Sequence, residues 1–244
     1  MVGNCSHVQR PVSTGWDGIS HLVVLDAGWQ DKCSPKVLIY HIFTNKQMEH
    51  YELTGVDAGK LTALVVDTVT LPIGTRAYMG ETRPGMLAIL DLPTGRLWEV
   101  SLSTSPFIPP VTPSSSLLAL SGHHLYLASH HSDTLFRLNL TDLRASIPLS
   151  STNNQTVDTK MEGKLLGPPQ GLVVDPWGSL YYCLARDYVC VSWDIHQPLR
   201  AESHRVLLQS AELLPDVHHL FLDLQKQVWA LTDSNNGSHC VRVS

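Results

Sequence analysis

The chain has 244 residues, 43% of them hydrophobic and only 16% charged, which is ample apolar material for one sizeable core. Its formal net charge is −5 and it holds no run of Lys or Arg, so no phosphate-binding surface is expected and nucleic acid is excluded as a partner. No apolar stretch approaches the ~20 residues a membrane-spanning helix needs, and Met1-Val2-Gly3-Asn4-Cys5 lacks the basic end and apolar run of a signal peptide.

Short segments rich in Val, Ile, Leu, Tyr and Trp follow one another along the chain, separated by Gly, Pro, Asn or Asp. Strands are predicted at His21–Asp26, Lys36–Thr44, Thr62–Thr68, Arg76–Gly80, Met86–Leu92 and Leu97–Leu102. They continue at Leu117–Leu120, Leu125–His130, Thr134–Leu140, Gly171–Asp175, Leu180–Ala185, Val189–Asp194, His219–Asp223 and Val228–Thr232. The polar stretch Ser146–Lys160 reads as an exposed loop between strands. Long amphipathic helical patterns are missing.

The segments repeat. Leu64-Val65-Val66-Asp67, Leu117-Leu118-Ala119-Leu120, Leu172-Val173-Val174-Asp175 and Leu220-Phe221-Leu222-Asp223 return at intervals of roughly 50 residues. Each is followed by a second strand centred on Tyr78, Tyr126, Tyr181 or Trp229, and in the first three by a third that ends near Asp91, Asn139 or Asp194. Four short antiparallel strands per repeat is the pattern of a propeller blade. Blades pack between neighbours, so their inner strands read as solid apolar runs. The expected fold is all-β, a single β-propeller domain over residues 1–244 with about five four-stranded blades, the first opening near Val8 and the last near Leu220.

Four Asn-x-Ser/Thr sequons, at Asn4, Asn139, Asn154 and Asn236, suggest glycosylation and an extracellular protein. The five cysteines, Cys5, Cys33, Cys183, Cys190 and Cys240, contain no CxxC pair, which argues against structural zinc. If Arg186-Asp187 forms a tight turn, Cys183 and Cys190 fall opposite one another on adjacent strands, within reach of a disulfide. The pairs His123-His124 and His130-His131 bracket one strand and lie roughly 20 Å apart, too far to share an ion. With His218-His219 they read as structural. Asp67, Asp175 and Asp223 occupy one repeat position at a strand end, where a carboxylate caps a turn by accepting backbone N–H bonds. A metal cage built from them is the less economical reading, and no cofactor is expected.

Several blocks resemble the major royal jelly/Yellow family. Gly3-Asn4-Cys5 with Val23–Gly28, Cys33–Tyr40, Leu61–Asp67, Ala77-Tyr78, Leu90-Asp91-Leu92 with Gly95–Trp98, Gly178–Tyr182, Val189–Trp193 and Val228–Asp233 match its motifs in the right order. The resemblance implies a secreted six-bladed propeller whose signal peptide and first blade have no counterpart here, leaving either a truncated chain or a ring closed by five blades. It implies disulfides Cys5–Cys33 and Cys190–Cys240, in competition with the Cys183–Cys190 pairing. It also implies a non-catalytic binder of small aromatic or biogenic amines in the central channel. By motif, the ligand-binding candidates are Glu81, Thr232, Asp233 and Asn235. A dopachrome-converting isomerase of pigmentation chemistry is the alternative, and a truncated product without ligand-binding activity is a third reading. Two blocks depart from the family pattern, Pro113–Ser121 and Thr232-Asp233-Ser234, and both belong near the channel mouth.

Overall fold

A computed structural model describes residues 4–29, 32–57, 59–68, 75–104, 111–145, 155–234 and 237–244. Asn154, Asn235 and Asn236 lie outside the described residues. The chain divides into two compact units, Met1–Leu118 with Asn139–Thr159 and Ala119–Leu138 with Lys160–Ser244.

In the first unit β1 (Pro11–Trp16), β2 (His21–Asp26), β3 (Lys36–His41) and β4 (Lys46–Glu52) form a four-stranded antiparallel sheet in chain order. A second meander follows: β5 (Leu61–Asp67), β6 (Arg76–Glu81), β7 (Met86–Asp91) and β8 (Arg96–Thr104). Val23, Leu25, Val37 and Ile39 of the first sheet pack with Leu61, Leu64, Ala77, Met79 and Leu90 of the next. These residues share one face of each strand because side chains alternate with period two. Burying one such Leu or Ile contributes roughly 1.5–3 kcal/mol.

The first strands of the two sheets lie side by side, β1 against β5. The Ser13 hydroxyl accepts a bond from the Leu64 N–H at 3.0 Å, and a Cβ on Gly15 would come within 2.6 Å of Val66 Cγ2. The second unit repeats the device. Its β13 (Gln170–Val174), β14 (Ser179–Leu184), β15 (Val189–Asp194) and β16 (His204–Gln209) form an antiparallel sheet, and β13 lies against the first strand of the next one, β17 (Val217–Leu222). Gly171, at φ +69°, leaves room there for Leu220, whose Cγ a Cβ would meet at 2.8 Å. The last sheet is completed by β18 (Val228–Ser234) and β19 (Gly237–Arg242).

Between these sheets the chain runs through β9 (Leu117–Ser121), β10 (His124–Ser129), β11 (Ser132–Asn139), the short α1 (Thr141–Ala145) and β12 (Gln155–Lys164), with the strands ordered β12-β11-β10-β9. β12 corrects the expected loop Ser146–Lys160 over its Gln155–Lys160 part; residues 146–154 lie outside the described residues. Gln155–Thr159 pairs in parallel with Val100–Thr104 of β8, and Thr159 Oγ1 donates to the Ser103 carbonyl at 2.7 Å. Backbone pairing, not side-chain burial, holds this polar segment, so its composition hides it. The parallel pair also departs from the purely antiparallel blade expected.

The cysteines divide differently from the family pattern. Cys5–Cys33 forms as expected, with Cα atoms 5.1 Å apart. The expected Cys190–Cys240 bridge does not form. Cys190 is bonded to Cys183, its direct cross-strand partner, with Cα atoms 4.0 Å apart, and Cys240 is an exposed thiol. The turn is a 3-10 segment, Ala185–Asp187, closed by Tyr188 in the left-handed region at φ 50°, and it delivers the register that a tighter turn would give. Val241 and Val243 pack into the cluster that buries Cys183 and Cys190. Strand alternation therefore points Cys240 to the opposite face of its sheet, away from Cys190.

The three aspartates at one repeat position also split. Asp175 accepts the Trp177 and Ser179 N–H groups, each at 2.9 Å, and the Tyr181 hydroxyl at 2.8 Å. Asp223 does the same for the Gln227 N–H and the Trp229 indole N–H, both at 2.8 Å. Each cap therefore also pins the aromatic ring of the following strand. Asp67 likewise accepts the hydroxyl of Tyr78 on the following strand, at 3.3 Å, but adds a two-point ion pair from Arg144 of α1, at 2.7 and 2.9 Å, in a fully buried position.

Candidate functional site

The inner strands β1, β5, β13 and β17 each carry a bulge, and the residue opposite the start of each closes its ladder with the second strand. In the first unit Asp26 faces Pro11 and Glu81 faces Leu61; in the second Cys183 faces Gln170 and Thr232 faces Val217. All four are buried to within 1%. The register therefore makes Thr232 the counterpart of Glu81, and places Asp233 one residue beyond it.

Glu81 is closed in. Arg83 reaches its Oε2 through Nη2 at 2.9 Å and Nε at 3.1 Å, and the same Nη2 bonds Glu99 at 2.7 Å. The Ser115 hydroxyl, itself donating to the Met86 carbonyl at 2.6 Å, accepts the Glu81 N–H at 3.0 Å. Burial, aided by the Glu99 carboxylate and opposed by Arg83, raises the Glu81 carboxyl above its ordinary value.

Thr232 and Asp233 sit together near the end of β18. Thr232 is fully buried and its hydroxyl accepts the Asp216 N–H at 3.4 Å. Asp233 has its side chain 49% exposed and faces an open cavity of about 730 Å³. Glu212, Asp216 and His239 line the same cavity, and no Lys or Arg lines it among the described residues. His218 Nε2 lies 2.9 Å from Asp233 and 3.8 Å from Asp216. Bonding to Ser238, followed in weight by the opposing burial and then by His218, holds the Asp233 carboxyl below its ordinary value. It therefore stays a carboxylate at neutral pH.

Of the four ligand candidates, the structure brings Thr232 and Asp233 together, while Glu81 belongs to the other unit and Asn235 lies outside the described residues. Glu212, Asp216 and His218 were not among the candidates. Asp216, standing just before an apolar inner strand, was the available signal. His218 and His219, both read as structural, have different surroundings. The pKa of His219 is lowered by burial, whereas His218 faces the carboxylates.

The other polar clusters resolve into supports. His130 bonds Gln170 at 3.0 Å and its pKa is lowered by burial. Among the described residues, no group of three His, Cys, Asp or Glu side chains is placed to hold a metal ion. Asn4 and Asn139 are exposed, and in each the side-chain oxygen accepts the Ser or Thr hydroxyl two residues on, at 2.8 and 2.7 Å. No described helix is long and apolar enough to cross a membrane.

A chain in the crystal structure of a nidogen/laminin complex, a β-propeller protein, is similar with a TM-score of 0.64 and 11% identity, over 96% of this chain and 76% of that one. A chain in the crystal structure of a mitotic checkpoint complex is similar with a TM-score of 0.51 and 11% identity, over 95% of this chain and 61% of that one. At such identity the likeness shows the fold alone. No curated protein matches the chain significantly. The family model for "Major royal jelly protein" matches residues 17–239, covering both units and the segment that carries Asp233, and the chain therefore belongs to the major royal jelly protein family.

Proposed function

We propose that the chain is a secreted, non-catalytic binder of small aromatic or biogenic amines, with its site in the acidic cavity beside β17 and β18. One observation carries this reading. Asp233, a candidate from its motif alone, lines a cavity with Glu212 and Asp216 and without an opposing Lys or Arg among the described residues. A carboxylate held ionised at the wall of a concave site recognises an ammonium group by charge-assisted hydrogen bonding. Extracellular placement is supported by the two disulfides and by the two exposed sequons at Asn4 and Asn139.

Calorimetric titration with serotonin or dopamine tests the reading. Asp233→Ala should weaken binding at least about tenfold, as expected for the loss of one charge-assisted bond, and an absence of heat with the wild-type chain would end the idea. The alternative, isomerisation of dopachrome, draws on the His218–Asp233 pair, a carboxylate–imidazole contact of the kind that moves protons. It predicts that dopachrome absorbance falls faster with the protein than in a protein-free blank, and that His218→Gln removes the difference.

A further inference from the structure

A second cavity, of about 290 Å³, lies within the first unit, between the edges of its two meanders. Its floor is apolar: Val23, Ile39 and Leu92, exposed by 1%, 8% and 8%. At its wall stand the carboxylates of Asp17 and Glu49 and the thioether of Met48. The two carboxylates are not equivalent. Asp17 is fully engaged, one oxygen accepting the N–H groups of Ile19, Ser20 and His21, each at 2.9 Å, and the other meeting His21 Nδ1 at 2.6 Å. Glu49 has a single protein partner among the described residues, the Tyr51 hydroxyl.

That hydroxyl is asked for twice. It lies in hydrogen-bonding contact with Glu49 Oε2 and also 2.7 Å from the Leu92 carbonyl. Burial first, then the Glu49 carboxylate, push the Tyr51 hydroxyl above its ordinary range, so it keeps its proton. Its single hydrogen is shared between two acceptors, and each keeps lone-pair capacity for a further donor. Both acceptors belong to residues that line the cavity, Glu49 and Leu92. A molecule entering this cavity is therefore selected twice, by the apolar floor and by the carboxylates at the wall, where the side chains of His21 and Thr75 also stand.

We infer that the first unit carries a second binding site, for a compact apolar molecule bearing a primary ammonium group. The ammonium offers three N–H donors to Glu49 and the Leu92 carbonyl, and the apolar body covers Val23 and Ile39. At about 290 Å³ the site is at the small end of the range for ligand pockets, which suits one ring on a short chain. Met48 is 56% exposed, and the rings of His21, His41 and Phe43 follow one another at 5.7 and 5.8 Å. This site is independent of the acidic cavity in the second unit and stands whether or not that cavity binds amines.

The test is a calorimetric titration of the whole chain with 2-phenylethylamine, and with 2-phenylethanol as its uncharged analogue. The amine should bind at least ten times more tightly than the alcohol. Glu49→Gln and Met48→Lys, both at exposed positions, should each weaken the amine tenfold or more. Asp233→Asn, which disables the other cavity, should leave this binding in place. Equal affinity for amine and alcohol, no binding by the wild-type chain, or binding untouched by Glu49→Gln would overturn the inference. Complete loss in Asp233→Asn would overturn it too, by assigning the amine to the acidic cavity.

Discussion

Glu81 and Asp233 are carboxylates near the same place in their respective sheets, one in each unit, and both match a ligand position by motif. Their surroundings make them different groups. Glu81 is buried and held by Arg83, which also gathers Glu99. Asp233 stands half in solvent with a histidine as its partner. A motif fixes where a side chain leaves the backbone, whereas its availability depends on residues far away in sequence. The aspartates at the ends of the inner strands divide along the same line: Asp67 is locked to Arg144 in the first unit, and Asp175 and Asp223 cap turns in the second.

The largest effect that could break this contrast is on stability. Arg144→Ala removes a two-point ion pair from the buried Asp67 carboxylate and should cost about 3–5 kcal/mol. Asp175→Ala frees two turn N–H groups that can reach water and should cost only about 1–2 kcal/mol. Urea denaturation of the two variants checks the order, and equal losses would show that the aspartates are equivalent after all.

A smaller effect lies in titration. Carbon-13 NMR of the side-chain carboxyls should place the Glu81 midpoint above its ordinary 4.5 and the Asp233 midpoint below its ordinary 3.8. The signs follow from linkage. Between its ordinary and raised values Glu81 binds more protons in the folded state, so acidification through that window adds stability. Asp233 does the reverse, and its contribution is lost as pH falls below the ordinary aspartate range. The smallest effect expected is none: Glu81→Gln should leave serotonin affinity at the acidic cavity unchanged, and a tenfold loss would reopen Glu81 as a ligand residue.

The inner strands β5 and β13 and the middle strands β2 and β15 were legible because they are largely apolar runs. The outer strands were not. β4, β16 and β19 are largely exposed, so their sequences, such as Lys46–Glu52, carry no apolar rhythm even though their backbones are fully paired. β12 was lost for the same reason, compounded by a partner strand more than fifty residues away. In the site, Asp233 could be found from its motif, but Glu212 and Asp216 belong to a polar connection whose approach to Asp233 depends on the register of β17 against β18. The cysteine pairing turned on a local geometric fact, the direct opposition of Cys183 and Cys190, which outweighed the family pattern.

The two bridges differ in depth. Cys5 is exposed at the chain surface, whereas Cys183 and Cys190 are each only 1% exposed within the second unit's core. A sulfhydryl reagent should therefore find one group in the native chain, three once a gentle reductant has opened the outer bridge, and all five only when the inner sheet has come apart. The count of reactive sulfurs is a built-in gauge of how far the second unit has opened.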